Sequence, residues 1–376
     1  MISPYQHIDT PALLIDNEIL MSNIKYMQDY ADSHNVKMRP HTKTHKMSEI
    51  AKMQLEAGAK GISVAKIGEA EVYAQKGIDD IFIANEIVGE EKLKRIAELG
   101  RKINISFGID SVFNVRQAEK VFAEADAMAN VLVEIEVGEN RSGIIEETDF
   151  QNLLDELKKC KHVKLKGVFS HDGNSYHAKD AEECKQIFIE SQKRTLEFAQ
   201  MARDNGFDID TVSIGSTPPF ILGFDVIEGV TEVRIGTYIL MDASQSNVIG
   251  TYERCAATIL TTVISKPTDE RVITDAGAKS MTMQERSDGI CKTKGKGIIK
   301  NSGDIAVTSV YDEHGIIYSK ELHKNVNIGD KIEIFPNHIC PVCNLYDKAY
   351  LVSSEINKLY IFFFNSICHE HLPQLP

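Results

Sequence analysis

Val36-Lys37-Met38-Arg39-Pro40-His41-Thr42-Lys43-Thr44-His45-Lys46-Met47-Ser48 passes from a short β-like run, through a loop rich in basic groups, to the start of an amphipathic helix. Working outward, the same strand–loop–helix unit recurs. Helical spacing over residues 48–57 is followed by Gly61-Ile62-Ser63-Val64-Ala65, and over 67–76 by Asp80-Ile81-Phe82-Ile83-Ala84. Helices over 90–99, 111–129 and 149–160 lead into strand runs at 103–107, 131–137 and 165–170. A long helix over 178–205 leads into 211–214, and a shorter link into 232–235. Strict alternation of this kind predicts a parallel sheet, and eight strands from Val36 onward predict a closed (β/α)8 TIM-type barrel. An open doubly wound sheet is the alternative, but no Gly-x-Gly-x-x-Gly follows the first strand.

Before this stretch, Asp9-Thr10-Pro11 leads into the apolar strand Ala12–Asp16, and Ile19, Leu20, Ile24 and Met27 follow at helical spacing. After about residue 246 the pattern changes. Runs at 257–264, 270–275, 304–311 and 331–335 are split by Gly303-Asp304 and Gly329-Asp330, without helical spacing. These boundaries give a barrel over residues 5–246 and a smaller C-terminal β domain over 247–376, joined by residues 1–4 as an added strand.

The 376 residues are 43% hydrophobic and 26% charged, with a formal net charge of −13 and a pI near 5.4. This acidity argues against nucleic-acid partners and anionic membrane surfaces. No apolar run is long enough to span a bilayer. Met1-Ile2-Ser3-Pro4-Tyr5-Gln6-His7 lacks the basic and apolar regions of a signal peptide, so a cytoplasmic location is expected. The seven cysteines are odd in number and mostly scattered, as for reduced thiols, and only Cys340 and Cys343 lie close together.

In a barrel the chemistry sits where strands end. Lys43 ends the first strand unit. Crowding by Arg39, Lys46 and two histidines would favour its neutral amine, the nucleophile that forms a Schiff base with a carbonyl. The plain alternative is a solvated basic turn. Across the mouth, Gly215-Ser216-Thr217-Pro218-Pro219 and Gly236-Thr237-Tyr238 follow strands seven and eight, where barrels often bind phosphate. A phosphate site facing a Schiff-base lysine is what pyridoxal 5′-phosphate (PLP) needs. Arg141 ends strand five and is a candidate partner for the cofactor ring, or else a salt bridge to Glu139 or Glu136. His171 and Tyr176, after strand six, are candidates to flank that ring, or else satisfied core side chains.

In the β domain, Pro336-Asn337-His338-Ile339-Cys340-Pro341-Val342-Cys343-Asn344 places an imidazole and a thiol two residues apart. On an extended segment they share a face, and the pair suits a divalent metal, Zn2+ best. Two alternatives stand: a closed structural site completed by Cys343 with Cys368, His369 or His371, and inert buried thiols.

Arg39-Pro40-His41-Thr42-Lys43-Thr44-His45-Lys46 resembles the PLP-lysine motif of the D-threonine aldolase and D-serine dehydratase family, fold-type III PLP enzymes related to alanine racemase. The resemblance extends through Val137-Gly138-x-x-Arg141-x-Gly143, His171-Asp172-Gly173-Asn174, Gly215-Ser216-Thr217-Pro218 and Glu232-Val233-Arg234-x-Gly236-x-Tyr238. It continues with Asp275-Ala276-Gly277-x-Lys279 and Pro336-Asn337-His338-x-Cys340. Cys343 and the ending from Ile356 depart from the family's pattern. The resemblance implies a homodimer, PLP on Lys43, and a divalent metal on His338 and Cys340. It further implies a lyase acting on a small-molecule D-amino acid. His-x-Cys is similar to the dehydratases, so the expected reaction removes water from a D-β-hydroxy amino acid, D-serine first, giving keto acid and ammonia. The alternatives are D-threonine aldol cleavage, amino-acid racemisation and a non-catalytic PLP carrier.

Overall fold

The computed structural model describes residues 1–353 and the strand Leu359–Phe363. Its first element, β1 (Ala12–Asp16), runs into α1 (Asn17–Ser33), whose first turn is capped by the Asp16 carboxylate accepting from the Ile19 N–H at 3.0 Å. The alternation then proceeds as expected. Strands β2 (Lys37–Met38), β3 (Ile62–Val64), β4 (Asp80–Glu86), β5 (Asn104–Ile109), β6 (Ala129–Ile135), β7 (Val163–Ser170), β8 (Thr211–Ile214) and β9 (Glu232–Val233) form one parallel sheet. Between them lie α2 (Ser48–Glu56), α3 (Ile67–Gln75), α4 (Glu90–Leu99), α5 (Val112–Glu124), α6 (Glu147–Leu157), α7 (Ala181–Asp204) and the single turn α8 (Pro218–Ile221), with α9 (Ala243–Ile249) after β9.

The strand order is β2-β9-β8-β7-β6-β5-β4-β3. Its two ends meet through a parallel bridge between His41 and Ser63, where the Ser63 N–H donates to the Pro40 carbonyl at 2.8 Å. The sheet therefore closes. Its interior is plugged by Phe82, Leu132 and Phe169, the two rings meeting edge-on at 5.1 Å. Arg39 lies below that plug and pairs with Asp80 at 2.6 Å and Glu232 at 2.7 Å.

The second sheet contains β10 (Ala257–Ser265), β11 (Arg271–Thr274), β12 (Gly297–Ile299), β13 (Ser309–Val310), β14 (Gly315–Tyr318), β15 (Lys331–Pro336), β16 (Lys348–Val352) and β17 (Leu359–Phe363). Two expectations change here. Ala12–Asp16, assigned with the barrel, pairs antiparallel with β10 and parallel with β16. Ala12, Leu13, Leu14 and Ile15 are all buried, so this strand needs cover on both faces and a partner at each edge, which only the second sheet supplies. The run expected over 304–311 is a strand only at Ser309–Val310. Near the start of the chain, Ile2 forms a bridge with Ile332, and the Ser3 N–H donates to the Lys331 carbonyl at 2.8 Å. Among the described residues, no helix is long and apolar enough to cross a membrane.

Candidate active site

Lys43 sits in the 3-10 turn Thr42–Thr44 at the end of β2. Thr42 and Thr44 are buried on either side, and the Thr42 hydroxyl ties the turn to the Ser63 carbonyl at 3.0 Å. That leaves Lys43 facing the open mouth of the barrel. Although solvent reaches it, protein surrounds most of the side chain, and this desolvation lowers the ammonium pKa; Cys340 opposes the shift, and Arg141 adds to it. The cationic neighbours are not those expected. Arg39 is engaged at the opposite end of the barrel, and Lys46 bonds Asn344 at 2.8 Å and Glu69 at 3.4 Å. Arg39 lies earlier in the chain, inside the barrel beside Phe82 and Leu132, whereas the turn that carries Lys43 lies beyond it at the mouth. Arg141 and Arg234 take the role instead.

Lys43 opens into a cavity of about 270 Å³ lined by Arg141, His171, Tyr176, Ser216, Thr217 and Thr237, among others. The Ser216 and Thr217 side chains are buried at its wall. Of the residues expected there, Gly215 and Tyr238 do not line the cavity. A Cβ at Gly215 would stand 2.2 Å from the Arg234 carbonyl, so this glycine serves strand packing. Tyr238 turns its ring away, its hydroxyl accepting from Gln54 Nε2 at 2.7 Å. Gly236 does face the mouth, and a Cβ there would reach Thr44 Oγ1 at 2.8 Å. The Thr217 N–H donates to the Tyr176 hydroxyl at 3.1 Å. His171 Nδ1 is bonded to the Gly215 carbonyl, and burial holds the imidazole neutral by lowering its pKa well below the usual value.

Arg141 is half-exposed and pairs with Glu134 at 3.2 Å and Glu139 at 3.3 Å, while Glu136 accepts the Gly138 and Asn140 N–H groups. Two features were not singled out from the sequence. Arg234 is buried over the interior plug, 5.1 Å from the Phe169 ring, and donates to Ser213 Oγ at 2.6 Å and the Ser170 carbonyl at 2.8 Å. The period-2 pattern of Glu232-Val233-Arg234-Ile235 carried that signal, since Val233 and Ile235 claim the outer face. The second feature is a carboxyl pair. Burial and the neighbouring Glu134 push Glu86 up to about 9. Burial opposes ionisation of Glu134, but hydrogen bonds from Glu86, Ser142 and Arg141 outweigh it. The pair thus holds one proton at neutral pH, beside Arg141.

The His338-x-Cys340 motif does not lie on an extended segment. His338 is the N-cap of the short helix Ile339–Cys343, and Cys340 is in its first turn. Asp242, the N-cap of α9, accepts the Gln245 N–H at 2.9 Å and the Ile339 N–H at 3.0 Å, joining the two helix starts through one buried carboxylate. The helix packs on the lysine turn. Cys340 Sγ lies 3.3 Å from Thr44 Oγ1 and 3.5 Å from Thr237 Oγ1. His338 Nδ1 lies 3.1 Å from Gln284 Oε1. Cys343 points the other way, into the hydrophobic core, where burial raises its pKa well above the thiol range. No group of three or more potential metal ligands occurs among the described residues; Cys368, His369 and His371 lie outside them.

The sequence profile "Alanine racemase, N-terminal domain" matches residues 15–244, and "Putative serine dehydratase domain" matches residues 256–352. The chain is 33% identical to a D-threonine aldolase of Arthrobacter sp, over 94% of this chain and 91% of that one. The chain belongs to this family of PLP-dependent lyases. A D-serine dehydratase of Dictyostelium discoideum is 26% identical over 93% of this chain and 94% of its own. The structure of D-threo-3-hydroxyaspartate dehydratase from Delftia superposes with a TM-score of 0.88 at 27% identity, covering 95% of this chain and 98% of that one. A cysteine-to-alanine variant of that dehydratase is described as a metal-free form. The family's two-part architecture is the one described above, with a barrel followed by an antiparallel sheet.

Proposed function

We propose that this lyase removes water from a D-β-hydroxy amino acid, D-serine being the first to test, and releases keto acid and ammonia. One observation carries the reading: the thiol of Cys340, from the second domain, lies against Thr44, the residue next to Lys43.

The mouth fits PLP. Ser216, Thr217 and Thr237 offer hydroxyls to a phosphate, and Gly236 lines the same cavity without a side chain. Arg234 places a buried positive charge on the cavity floor, while Lys43 supplies an amine for covalent attachment. When bound, PLP supplies an aldehyde carbon and an electron-withdrawing ring. Burial favours the neutral amine of Lys43, the form able to take a proton from the substrate's Cα. His338 and Cys340 suit a divalent ion whose Lewis acidity helps a poor leaving group depart, and a thiolate favours Zn2+. The same reading includes a homodimer in the cytoplasm, which light scattering and cell fractionation test.

The test is turnover of D-serine by the PLP-loaded enzyme with and without chelator, scoring keto acid and ammonia apart from glycine and aldehyde. Keto acid that disappears with chelator supports dehydration. Glycine plus acetaldehyde from D-threonine supports the aldolase reading, which the 33% identical relative favours. Chelator-resistant interconversion of D- and L-alanine would instead mean racemisation, and no turnover of any D-amino acid would mean a carrier.

A further inference from the structure

Two short turns adjoin at the barrel mouth, because β2 and β9 are neighbours in the sheet. One is Thr42–Thr44, which carries Lys43; the other is the 3-10 turn Thr237–Ile239 after β9. Each turns a threonine toward the sulfur of Cys340, Thr44 Oγ1 at 3.3 Å and Thr237 Oγ1 at 3.5 Å. A Cβ at Gly236 would stand 2.8 Å from Thr44 Oγ1, so the turns approach as closely as a glycine permits. Their spacing shapes one wall of the cavity and the seat of the sulfur together.

Behind the turns lies a buried polar chain. His45 follows the first turn, Tyr238 is the middle of the second, and Gln54 comes from α2; all are buried. Ile50 and Ala51 form the buried stripe of α2, and Gln54 falls on it, where a core helix would ordinarily place an apolar residue. The Met47 N–H donates to His45 Nδ1 at 3.1 Å, which puts the proton of the neutral ring on Nε2. Burial lowers the His45 pKa to about 4, and Gln54, its hydrogen-bonding neighbour, opposes that shift. Gln54 Nε2 donates to the Tyr238 hydroxyl at 2.7 Å. The atoms left over, His45 Nε2 and Gln54 Oε1, are a buried donor and a buried acceptor with no third group bonded to either. One amide therefore faces both turns, in surroundings where a lost partner is expensive. Gln54 itself does not line the cavity.

We propose that Gln54 is a positioning residue: by holding His45 and Tyr238 it fixes the gap between Thr44 and Thr237, and through that gap both the cofactor pocket and the placement of Cys340. For the cofactor and the metal it rests on the lyase reading. Gln54→Met fills the same space without the hydrogen bonds, whereas Gln54→Glu keeps an oxygen for His45 and can accept from the Tyr238 hydroxyl. In Gln54→Met the Kd for PLP, from absorbance titration, should rise about tenfold, and metal should pass to a chelator about tenfold faster. Gln54→Glu should recover part of both. A third readout needs neither group. In the PLP- and metal-free protein, alkylation of Cys340, followed by peptide mass, should quicken about tenfold in Gln54→Met as the sulfur loses its fixed seat. Leu154→Ala, a cavity in the buried face of α6, controls for lost stability alone. Labelling of Cys340 that stays within about threefold of wild type, or that quickens equally in Leu154→Ala, overturns the proposal and leaves the lyase reading standing. Should Gln54→Met not fold, Tyr238→Phe takes its place under the same criterion, because it leaves the Gln54 N–H buried and unanswered. If the wild type binds no PLP, the lyase reading falls, and Cys340 labelling alone judges Gln54.

Discussion

The two halves of the site are built differently. The barrel half is made from strand ends, and its groups are mostly answered: Arg234 by Ser213 and Ser170, His171 by Gly215, Glu134 by Arg141 and Ser142. The half from the second domain is a short helix and a loop laid over that mouth. It holds two potential metal ligands and an arginine with an unanswered N–H. The difference separates duties. Saturated, buried groups hold one geometry and suit a cofactor used in every turnover. Open groups leave room for a ligand.

Substitutions can break this division, beginning with the largest effect. Lys43→Ala should abolish keto-acid formation, a loss of about 10⁴-fold or more, together with the absorbance of protein-bound cofactor. His338→Ala and Cys340→Ala should each cost about 10²- to 10³-fold and lower the metal found by elemental analysis, while the cofactor stays bound. If metal content is unchanged in both, the second half is not a metal site.

Asp242→Ala tests the joint between the halves. It removes the cap of α9 and the acceptor for Ile339, so a stability loss of about 1–2 kcal/mol in denaturant unfolding is expected. Weaker metal retention should accompany it, since His338 and Cys340 flank the freed Ile339 N–H. Asn, which keeps an acceptor oxygen, should recover part of both.

The smallest effect is the most local. Glu86 titrates near 9 in the folded protein against 4.5 when unfolded, so the folded state keeps a proton that the unfolded chain releases. The stability this group contributes is therefore full below about pH 4.5 and is lost as pH rises toward 9. Ionisation beside Glu134 would also disturb Arg141, so activity should fall along an alkaline limb near pH 9. Glu86→Gln, which retains the hydrogen bond without the titration, should flatten both slopes; an unchanged alkaline limb would assign it to another group.

Much of the barrel half was legible in the linear chain. Alternating periodicities mark βα units, and chemistry at strand ends picks out Lys43, Arg141, His171 and Ser216 without knowledge of the fold's details. Ala12–Asp16 was read with the wrong sheet because a strand buried on both faces has no polar side to show which neighbour it joins. Arg234 was quoted within a motif but given no role in the site, although its alternation was visible. Arg286 carried no signal, since residues 282–296 have neither period nor motif to tie them to Tyr176 or His338.

The sequence by itself determined the repeating units, the position of the lysine at a strand end and the spacing of His338 and Cys340, because each is a relation among near neighbours set by backbone geometry. Only the tertiary structure decided that Cys340 touches Thr44 across 296 positions of chain, that Arg39 faces the far end of the barrel, and that Arg286 lies over the Tyr176 ring. Those relations depend on how the second domain packs over the barrel mouth, and packing is the sum of many weak contacts that no short segment encodes.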